Sequence, residues 1–108
     1  MKLVIAVVQN KDASKLLTAL IKRHLNATKL STTGGFLRSG NTTYLIGIQD
    51  KQLPGLLKLI KRVSRSRQQS ITPPVNLDGG ANNTSYPVNV KVGGATVMVL
   101  PMDKFYRF

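Results

Sequence analysis

The chain has 108 residues, of which 16 are Lys or Arg and 4 are Asp, so its formal net charge is +12. It contains no cysteine and no apolar run of about 18 residues, which excludes disulfides, thiol chemistry and a transmembrane helix. We therefore expect a single cytosolic domain, residues 1–108. Its positive charge favours an anionic partner, which would be a nucleic acid, a nucleotide, an acidic protein or an anionic membrane surface.

The first half of the chain predicts a strand, an amphipathic helix and two further strands. Residues 3–8 form a short apolar run rich in β-branched side chains, which is typical of a strand buried on both faces. Over residues 12–25 apolar side chains recur with a helical period, and Asp12 is suited to cap that helix. Strands are expected at about 28–33 and 42–48, on either side of a glycine-rich segment.

The next part of the chain predicts one more helix and then a long irregular segment. Over residues 50–63 leucines and other apolar residues recur at helical spacing, and Asp50 is suited to cap the helix. Residues 64–87 contain three prolines, two glycines and many Asn, Ser and Thr residues. We therefore expect a long flexible loop without regular structure there.

The end of the chain completes the fold prediction. Alternating valines predict a strand at 88–92, and Gly93 and Gly94 are expected to turn it back, as a hairpin, into a strand at 95–100. The element order predicts an α+β fold, a ferredoxin-like βαββαβ sandwich with an extra C-terminal strand. Both helices would cover one face of the sheet and leave the other, partly apolar face to be covered by copies of the same chain.

The second predicted helix carries its cations in one row. Lys58, Lys61, Arg62 and Arg65 follow the i, i+3, i+4, i+7 spacing, which places them on one side of a helix. Such a row is either a solvated outer face or a docking surface for an anionic partner. The spacing leaves both interpretations open.

The segment TTGGFLRSGNTT, residues 32–43, has the composition of a ligand-binding loop. Its glycines allow backbone N–H groups to approach a ligand, Arg38 adds a cation, and the Asn41 amide can donate to and accept from an adenine edge. The Phe36 ring can stack on a base, although Phe36 and Leu37 are residue types found more often in a core. From its residues alone, the loop is a candidate site for an anion or a nucleotide.

Three stretches of the chain resemble a known family. They are the opening MKLVIAVVQ, the segment NATKLSTTGGFLRSGNTTYLIGI at 26–48, and PVNVKVGGATVMVLPMDKFYRF at 87–108. They are similar to the PII-like cyclic di-AMP receptor family (PstA/DarA), and the similarity covers nearly the whole chain apart from residues 64–87. The resemblance implies a ferredoxin-like homotrimer that binds cyclic di-AMP at its subunit interfaces and signals to a partner protein through loop reorganisation. It implies neither catalysis nor a cofactor.

The resemblance also assigns roles to individual residues. Thr28 resembles a hydroxyl that binds a phosphate, while Asn41 and the backbone at Gly47 resemble groups that read an adenine edge. Phe36 and Leu37 resemble the apolar wall against which adenine packs. The candidate ligand-binding residues are Asn26, Thr28, Gly35, Phe36, Leu37, Arg38, Asn41, Gly47, Gly93, Gly94, Met98 and Arg107.

Three positions depart from the pattern of that family. Asn26 stands where many members have an arginine, so one charge-assisted contact to phosphate is missing. Met98 stands where an aromatic residue is frequent, and it can contact a ring without stacking in the same way. Arg107 stands where a glutamine is common. We expect Arg107 or Arg38 to supply the lost positive charge.

Two other functions remain compatible with the sequence. A PII-type sensor would bind ATP or another nucleotide in the same kind of cleft. A basic nucleic-acid-binding protein would use the positive charge, although the tyrosines and phenylalanines lie away from the basic row and give it no stacking platform. His24 and the four scattered aspartates form no cluster in the sequence, so the sequence indicates neither an enzyme nor a metal site.

Overall fold

The structure is a computed structural model that describes residues 1–30, 40–71 and 87–108. These residues form a main sheet of four strands, two α-helices and a separate two-stranded ribbon. In chain order the elements are β1 (Lys2–Gln9), α1 (Asn10–Lys22), β2 (Ala27–Leu30), β3 (Asn41–Ile48), α2 (Leu53–Ser64), β4 (Arg67–Ile71), β5 (Val88–Val92) and β6 (Ala95–Pro101). A short 3₁₀ turn, Asp50–Gln52, precedes α2.

The main sheet has the strand order β2-β3-β1-β6, and each neighbouring pair is antiparallel. The chain passes from β1 through α1 to β2, and from β3 through α2 towards β6, so each helix connects two strands that are not neighbours. This mixed α+β arrangement is compatible with the ferredoxin-like fold that the element order predicted.

The core lies between one face of the main sheet and the two helices. Along β1 the buried residues alternate, because successive side chains of a strand point to opposite faces. The core consists of Val4, Ala6, Val8, Ala13, Leu16, Leu20, Tyr44, Ile46, Ile48, Leu56, Leu59, Ile60 and Val63. The other face of the sheet carries Leu3, Ile5 and Val7 of β1, and neither helix contributes to covering it. This second face is called the uncovered face below.

The strands predicted at 88–92 and 95–100 are present, but the prediction that they pair as a hairpin was wrong. β5 leaves the main sheet and pairs with β4 in the ribbon, whereas β6 pairs with β1 and is the fourth strand of the main sheet. Gly93 and Gly94 therefore join two sheets instead of turning within one. Alternating valines predict a half-buried strand, but they do not identify its partner, and this is why the hairpin was misassigned.

The segment 64–87 begins with regular structure that its composition did not predict. Ser64 is the last residue of α2, and residues 67–71 form β4, which pairs along its whole length with β5. Residues 72–86 lie outside the described residues, so the expectation of a flexible loop is not tested there.

The two aspartates predicted as helix caps have other partners. Asp12 lies inside the first turn of α1, after Gln9, and it is buried and paired with Arg67. At the start of the 3₁₀ turn, Gln49 and Gln52 cap each other, and Asp50 pairs with the N-terminal amine at 3.2 Å. The capping expectation was wrong at both sites, because each carboxylate binds a cation from a distant part of the chain.

The outer sides of both helices face away from the sheet. The basic row Lys58, Lys61, Arg62 and Arg65 is exposed, as its spacing predicted. Within the described residues, neither helix is long and apolar enough to cross a membrane.

Two neighbouring residues of α1 test the position of the core. Leu20 is fully buried, whereas Ile21 is 62% exposed. Replacing Leu20 by Ala is expected to lower the free energy of unfolding by about 2 to 5 kcal/mol, because it removes buried apolar atoms and leaves a cavity. Ile21→Ala, the matched control, should change it by less than about 0.5 kcal/mol in urea unfolding. Equal effects of the two substitutions would contradict this packing.

The buried phenol of Tyr44 should make stability depend on alkaline pH. Its hydroxyl donates to the Ala13 carbonyl at 3.1 Å, and burial raises the pKa of Tyr44 above its ordinary value of about 10. The unfolded chain therefore loses the phenolic proton at a lower pH than the folded chain does. As the pH rises from the pKa of the unfolded group to the higher pKa of the folded group, the free energy of unfolding should fall.

Urea unfolding between about pH 9 and 11 measures this loss of stability. The Tyr44→Phe variant should lose less stability than the parent over this range, because it has no phenolic proton. The Tyr106→Phe variant, at a residue that is 68% exposed, should behave like the parent. A Tyr44→Phe protein that loses as much stability as the parent over this range would argue against the buried phenol as the cause.

Candidate functional site

An open cleft of about 840 Å³ lies at the edge of the main sheet where β1 ends, α1 begins and the ribbon meets β6. Its volume falls within the range of roughly 300 to 1,000 Å³ that is usual for sites that bind small organic ligands. The residues of this cleft that bear on function are Gln9, Lys11, Asn41, Lys91, Gly93 and Gly94. They come from β1, α1, β3 and the β5–β6 connection, so only the folded chain brings them together.

The floor of the cleft carries two side-chain amides. Gln9 and Asn41 are directly opposite each other in the antiparallel pairing of β1 with β3. Gly40 enters β3 with a φ of 89°, and its carbonyl accepts a hydrogen bond from the Asn10 amide at 2.9 Å. The same Asn10 bonds through its side chain to the Thr42 hydroxyl at 2.6 Å. The start of β3, and with it Asn41, is thereby tied to the start of α1.

One wall of the cleft is the turn formed by Gly93 and Gly94. Their φ angles are 83° and 93°, in the left-handed region that favours glycine. The Gly93 amide donates to Gln9 Oε1 at 2.7 Å, and the Gly94 amide donates to the Ser64 carbonyl. Both amides are therefore already bonded within the chain, and the turn shapes the cleft without offering these donors to a ligand.

A partly buried ion pair joins the ribbon to α1 beside this wall. Arg67 Nη2 lies 2.9 Å from Asp12 Oδ1, and the Asp12 side chain is only 5% exposed. Arg67 Nη1 also donates to the Arg65 carbonyl at 3.1 Å. A second contact joins the same elements, because Lys11 Nζ donates to Gln69 Oε1. The ribbon therefore has a definite position relative to the cleft.

Only some of the predicted ligand-binding residues line this cleft. Asn41, Gly93 and Gly94 do so. Thr28 and Met98 belong to a row that crosses the uncovered face, in which Thr28 pairs with Leu45, Leu45 with Ile5, and Ile5 with Met98. Leu45 is four residues along β3 from Asn41, which corresponds to roughly 13 Å. In a single chain the predicted residues thus form two groups on one side of the sheet.

The remaining predicted residues fall into three situations. Gly47 lies on the uncovered face, two residues beyond Leu45, and a Cβ there would be 3.7 Å from Met102 Cε. Asn26 and Arg107 are exposed and lie outside the strands and helices, and neither lines the cleft. Gly35, Phe36, Leu37 and Arg38 lie outside the described residues, so the predicted adenine wall is not tested.

The residues of the cleft that sequence reasoning missed include Gln9, Lys11 and Lys91. Gln9 was recognisable only as the polar residue after an apolar strand, and the lysines only as part of a general positive charge. The tertiary pairing of β1 with β3 and of β4 with β5 brings them together. In the parts of the chain that the structure describes, no group of three or more His, Cys, Asp or Glu residues is placed to hold a metal ion.

Comparison with known proteins identifies relatives of the whole chain. The model of a family described as "Cyclic-di-AMP receptor" matches residues 1–108. Among solved structures, the chain is similar to a crystal structure described as that of a functionally unknown protein from Pediococcus pentosaceus ATCC 25745. The two share 51% sequence identity over 99% of this chain and 96% of the other, with a TM-score of 0.79.

The two glycines of the cleft wall allow a matched test of this geometry. An added Cβ at Gly93 would collide with the Arg65 carbonyl oxygen and lie 2.7 Å from Arg67 Nη1, whereas a Cβ at Gly94 would meet nothing within 4 Å. Both alanine variants carry a backbone strain of about 1 to 2 kcal/mol, but only Gly93→Ala adds a collision with backbone. We expect Gly93→Ala to be the less stable variant in thermal unfolding, and equal stability would contradict this close approach.

Proposed function

This chain belongs to the cyclic-di-AMP receptor family, and we propose that it is a receptor that binds the second messenger cyclic di-AMP. The membership confirms the resemblance of the three sequence stretches. The observation that carries the proposal is that the family model matches the whole chain, while Asn41, Gly93 and Gly94 meet at one cleft. Cyclic di-AMP presents two adenines and two phosphodiesters, so its site needs hydrogen-bonding groups for the bases and positive charge for the phosphates.

The cleft supports a role for Asn41 as the group that reads adenine. A side-chain amide can donate to one nitrogen of an adenine edge and accept from another, which guanine does not match. Asn41 is held at the start of β3 by the contacts of Gly40 and Thr42 with Asn10, so its amide approaches a ligand from a defined position. In the proposed complex, Phe36 and Leu37 pack against the base. The backbone at Gly47 is six residues along β3 from Asn41, so in this proposal it contributes from a neighbouring copy of the chain.

We further propose that the receptor is a homotrimer with its ligand sites at the subunit interfaces. The apolar surface that stays exposed to solvent in a single chain supports this proposal. Met98 and Leu100 on the uncovered face are 45% and 42% exposed, and Phe105 in the C-terminal segment is 58% exposed. Exposed apolar surface of this kind is typical of an interface. A neighbouring copy that covers the face would also enclose Thr28 and Met98, which a single chain leaves apart from the cleft.

The proposed mechanism is a shift between conformations. Binding stabilises whichever arrangement of the loops contacts the ligand best, and it can shift the equilibrium only by the difference in affinity between the arrangements. In this proposal the rearranged loops then bind or release a downstream protein in the cytosol, and the receptor itself catalyses no reaction.

Calorimetry with cyclic di-AMP, cyclic di-GMP and ATP tests the ligand. We expect cyclic di-AMP to bind most tightly, and Asn41→Ala to weaken its binding by roughly 1 to 3 kcal/mol, because the variant cannot read the adenine edge. Asn89→Ala is the matched control, since Asn89 is exposed on β5 and does not line the cleft. It should bind like the parent.

Light scattering on the same samples should give a mass three times the 11.8 kDa of one chain. Tighter binding of ATP than of cyclic di-AMP would favour a nucleotide sensor of another kind. A monomeric mass at the concentrations used for calorimetry would contradict the interface site.

A further inference from the structure

The cleft must attract an anion if it binds a cyclic dinucleotide, and two of the positions that the sequence singled out for phosphate contacts bring no positive charge to it. Asn26 replaces a frequent arginine, and Arg107 does not line the cleft. The amides of Gly93 and Gly94 already donate hydrogen bonds to Gln9 and Ser64. The other charged and polar groups that line the cleft are therefore candidates for contact with the phosphates.

Two lysines occupy suitable positions. Lys11, the second residue of α1, and Lys91, two residues before Gly93, both line the cleft. Neither belongs to the basic row of α2. They reach the cleft from different elements, since Lys11 follows the end of β1 and Lys91 belongs to the ribbon. An elongated anion that occupies the cleft would therefore be met by a cation from each element.

The position of each lysine follows from local contacts. Lys11 Nζ donates to Gln69 Oε1 of β4, so its flexible side chain has a neutral partner that leaves its charge uncompensated. Lys91 is exposed, whereas the next residue, Val92, is buried, so the alternation of β5 turns Lys91 to the accessible side of the ribbon. Ribbon and helix are joined by the Asp12–Arg67 ion pair, which fixes the two lysines relative to each other.

The charge balance of the cleft supports an anionic ligand. Among the described residues that line it, none is an Asp or Glu. The carboxylate nearest in sequence, Asp12, is buried and neutralised by Arg67 at 2.9 Å. The charges of Lys11 and Lys91 therefore match in number the two phosphodiester charges of a cyclic dinucleotide.

Gln9 adds a neutral donor at the same place. Because its Oε1 accepts the Gly93 amide at 2.7 Å, the orientation of the side-chain amide is determined, and Nε2 carries the two donor hydrogens. Gln9 lines the cleft beside both lysines. An amide N–H and two ammonium groups together form a typical phosphate-binding set.

We propose that Lys11 and Lys91, assisted by Gln9, form the phosphate-binding side of this cleft and supply the charge that Asn26 lacks. The inference rests on the proposed function for the identity of the ligand, a cyclic dinucleotide with two phosphodiesters. It replaces the expectation that Arg107, which does not line the cleft, supplies this charge. Arg38 lies outside the described residues, so the expectation for Arg38 stays a prediction.

Calorimetry of the full-length protein tests the proposal with neutral substitutions of similar length. The variants are Lys11→Gln, Lys91→Gln and the double variant, each titrated with cyclic di-AMP at low and at high NaCl concentration. Each single change should weaken binding roughly fivefold, and the double change by on the order of twentyfold, as expected for partly exposed charge pairs. The double variant should also lose most of the salt dependence, because screening acts on the charges that it removes.

The matched control is Lys58→Gln combined with Lys61→Gln, which makes the same change in net charge on the outer side of α2. It should keep the parent affinity within about twofold, since both lysines are exposed and neither lines the cleft. If this control loses as much affinity as the cleft variant, the loss is caused by the net charge of the protein and not by the position of the lysines, and the proposal is overturned. A Lys11/Lys91 double variant that binds like the parent overturns it equally.

An ATP titration of the same proteins separates this inference from the proposed function. If the parent binds ATP but not cyclic di-AMP, the receptor assignment fails, and the proposal stands only if the cleft variants weaken ATP binding while the control does not. If the parent binds neither ligand, both the receptor assignment and the phosphate-binding side are overturned.

Discussion

The passage of the chain from the ribbon into the main sheet at Gly93 and Gly94 is the constraint on which the rest of the structure depends. Both residues have φ angles in the left-handed region, and a side chain at Gly93 would collide with the backbone of Arg65. This close approach lets β5 stay with β4 while β6 pairs with β1 as the fourth strand of the sheet. The cleft lies beside this passage because its wall is the glycine turn itself.

A partly buried ion pair lies next to this passage. Asp12 and Arg67 join α1 to the ribbon at 2.9 Å, and removal of Arg67 would leave the buried Asp12 carboxylate, which is 5% exposed, without a compensating charge. The same pair neutralises the carboxylate that is nearest to the cleft residues in sequence. In a chain with a net charge of +12, the lysines that line the cleft therefore face no opposing acid among the described residues. The shape of the cleft and its positive charge thus favour the same class of ligand, a small anion that carries polar bases.

The uncovered face of the sheet links this site to self-association. The row from Thr28 to Met98 lies on that face, and the cleft opens at its edge. A small domain with one helical layer buries only one side of its sheet, and the apolar residues on the other side favour contact with further copies. An interface there would place residues of two copies around one ligand, which would bring together the predicted binding residues that a single chain keeps apart.

Local signals were enough to predict the elements but not their pairing. The apolar run at 3–8, the helical periods of α1 and α2, the alternating valines at 88–92 and the family resemblance needed only neighbouring residues. They predicted both helices, β1, β2, β3, β5, β6 and the family. Only the tertiary structure decided that β5 pairs with β4, that Asp12 binds Arg67 instead of capping a helix, and that Gln9, Lys11 and Lys91 share a cleft with Asn41. These outcomes join residues that are distant in the sequence, and they depend on the packing of the whole chain, because an alternating strand pattern specifies a buried face but not a partner.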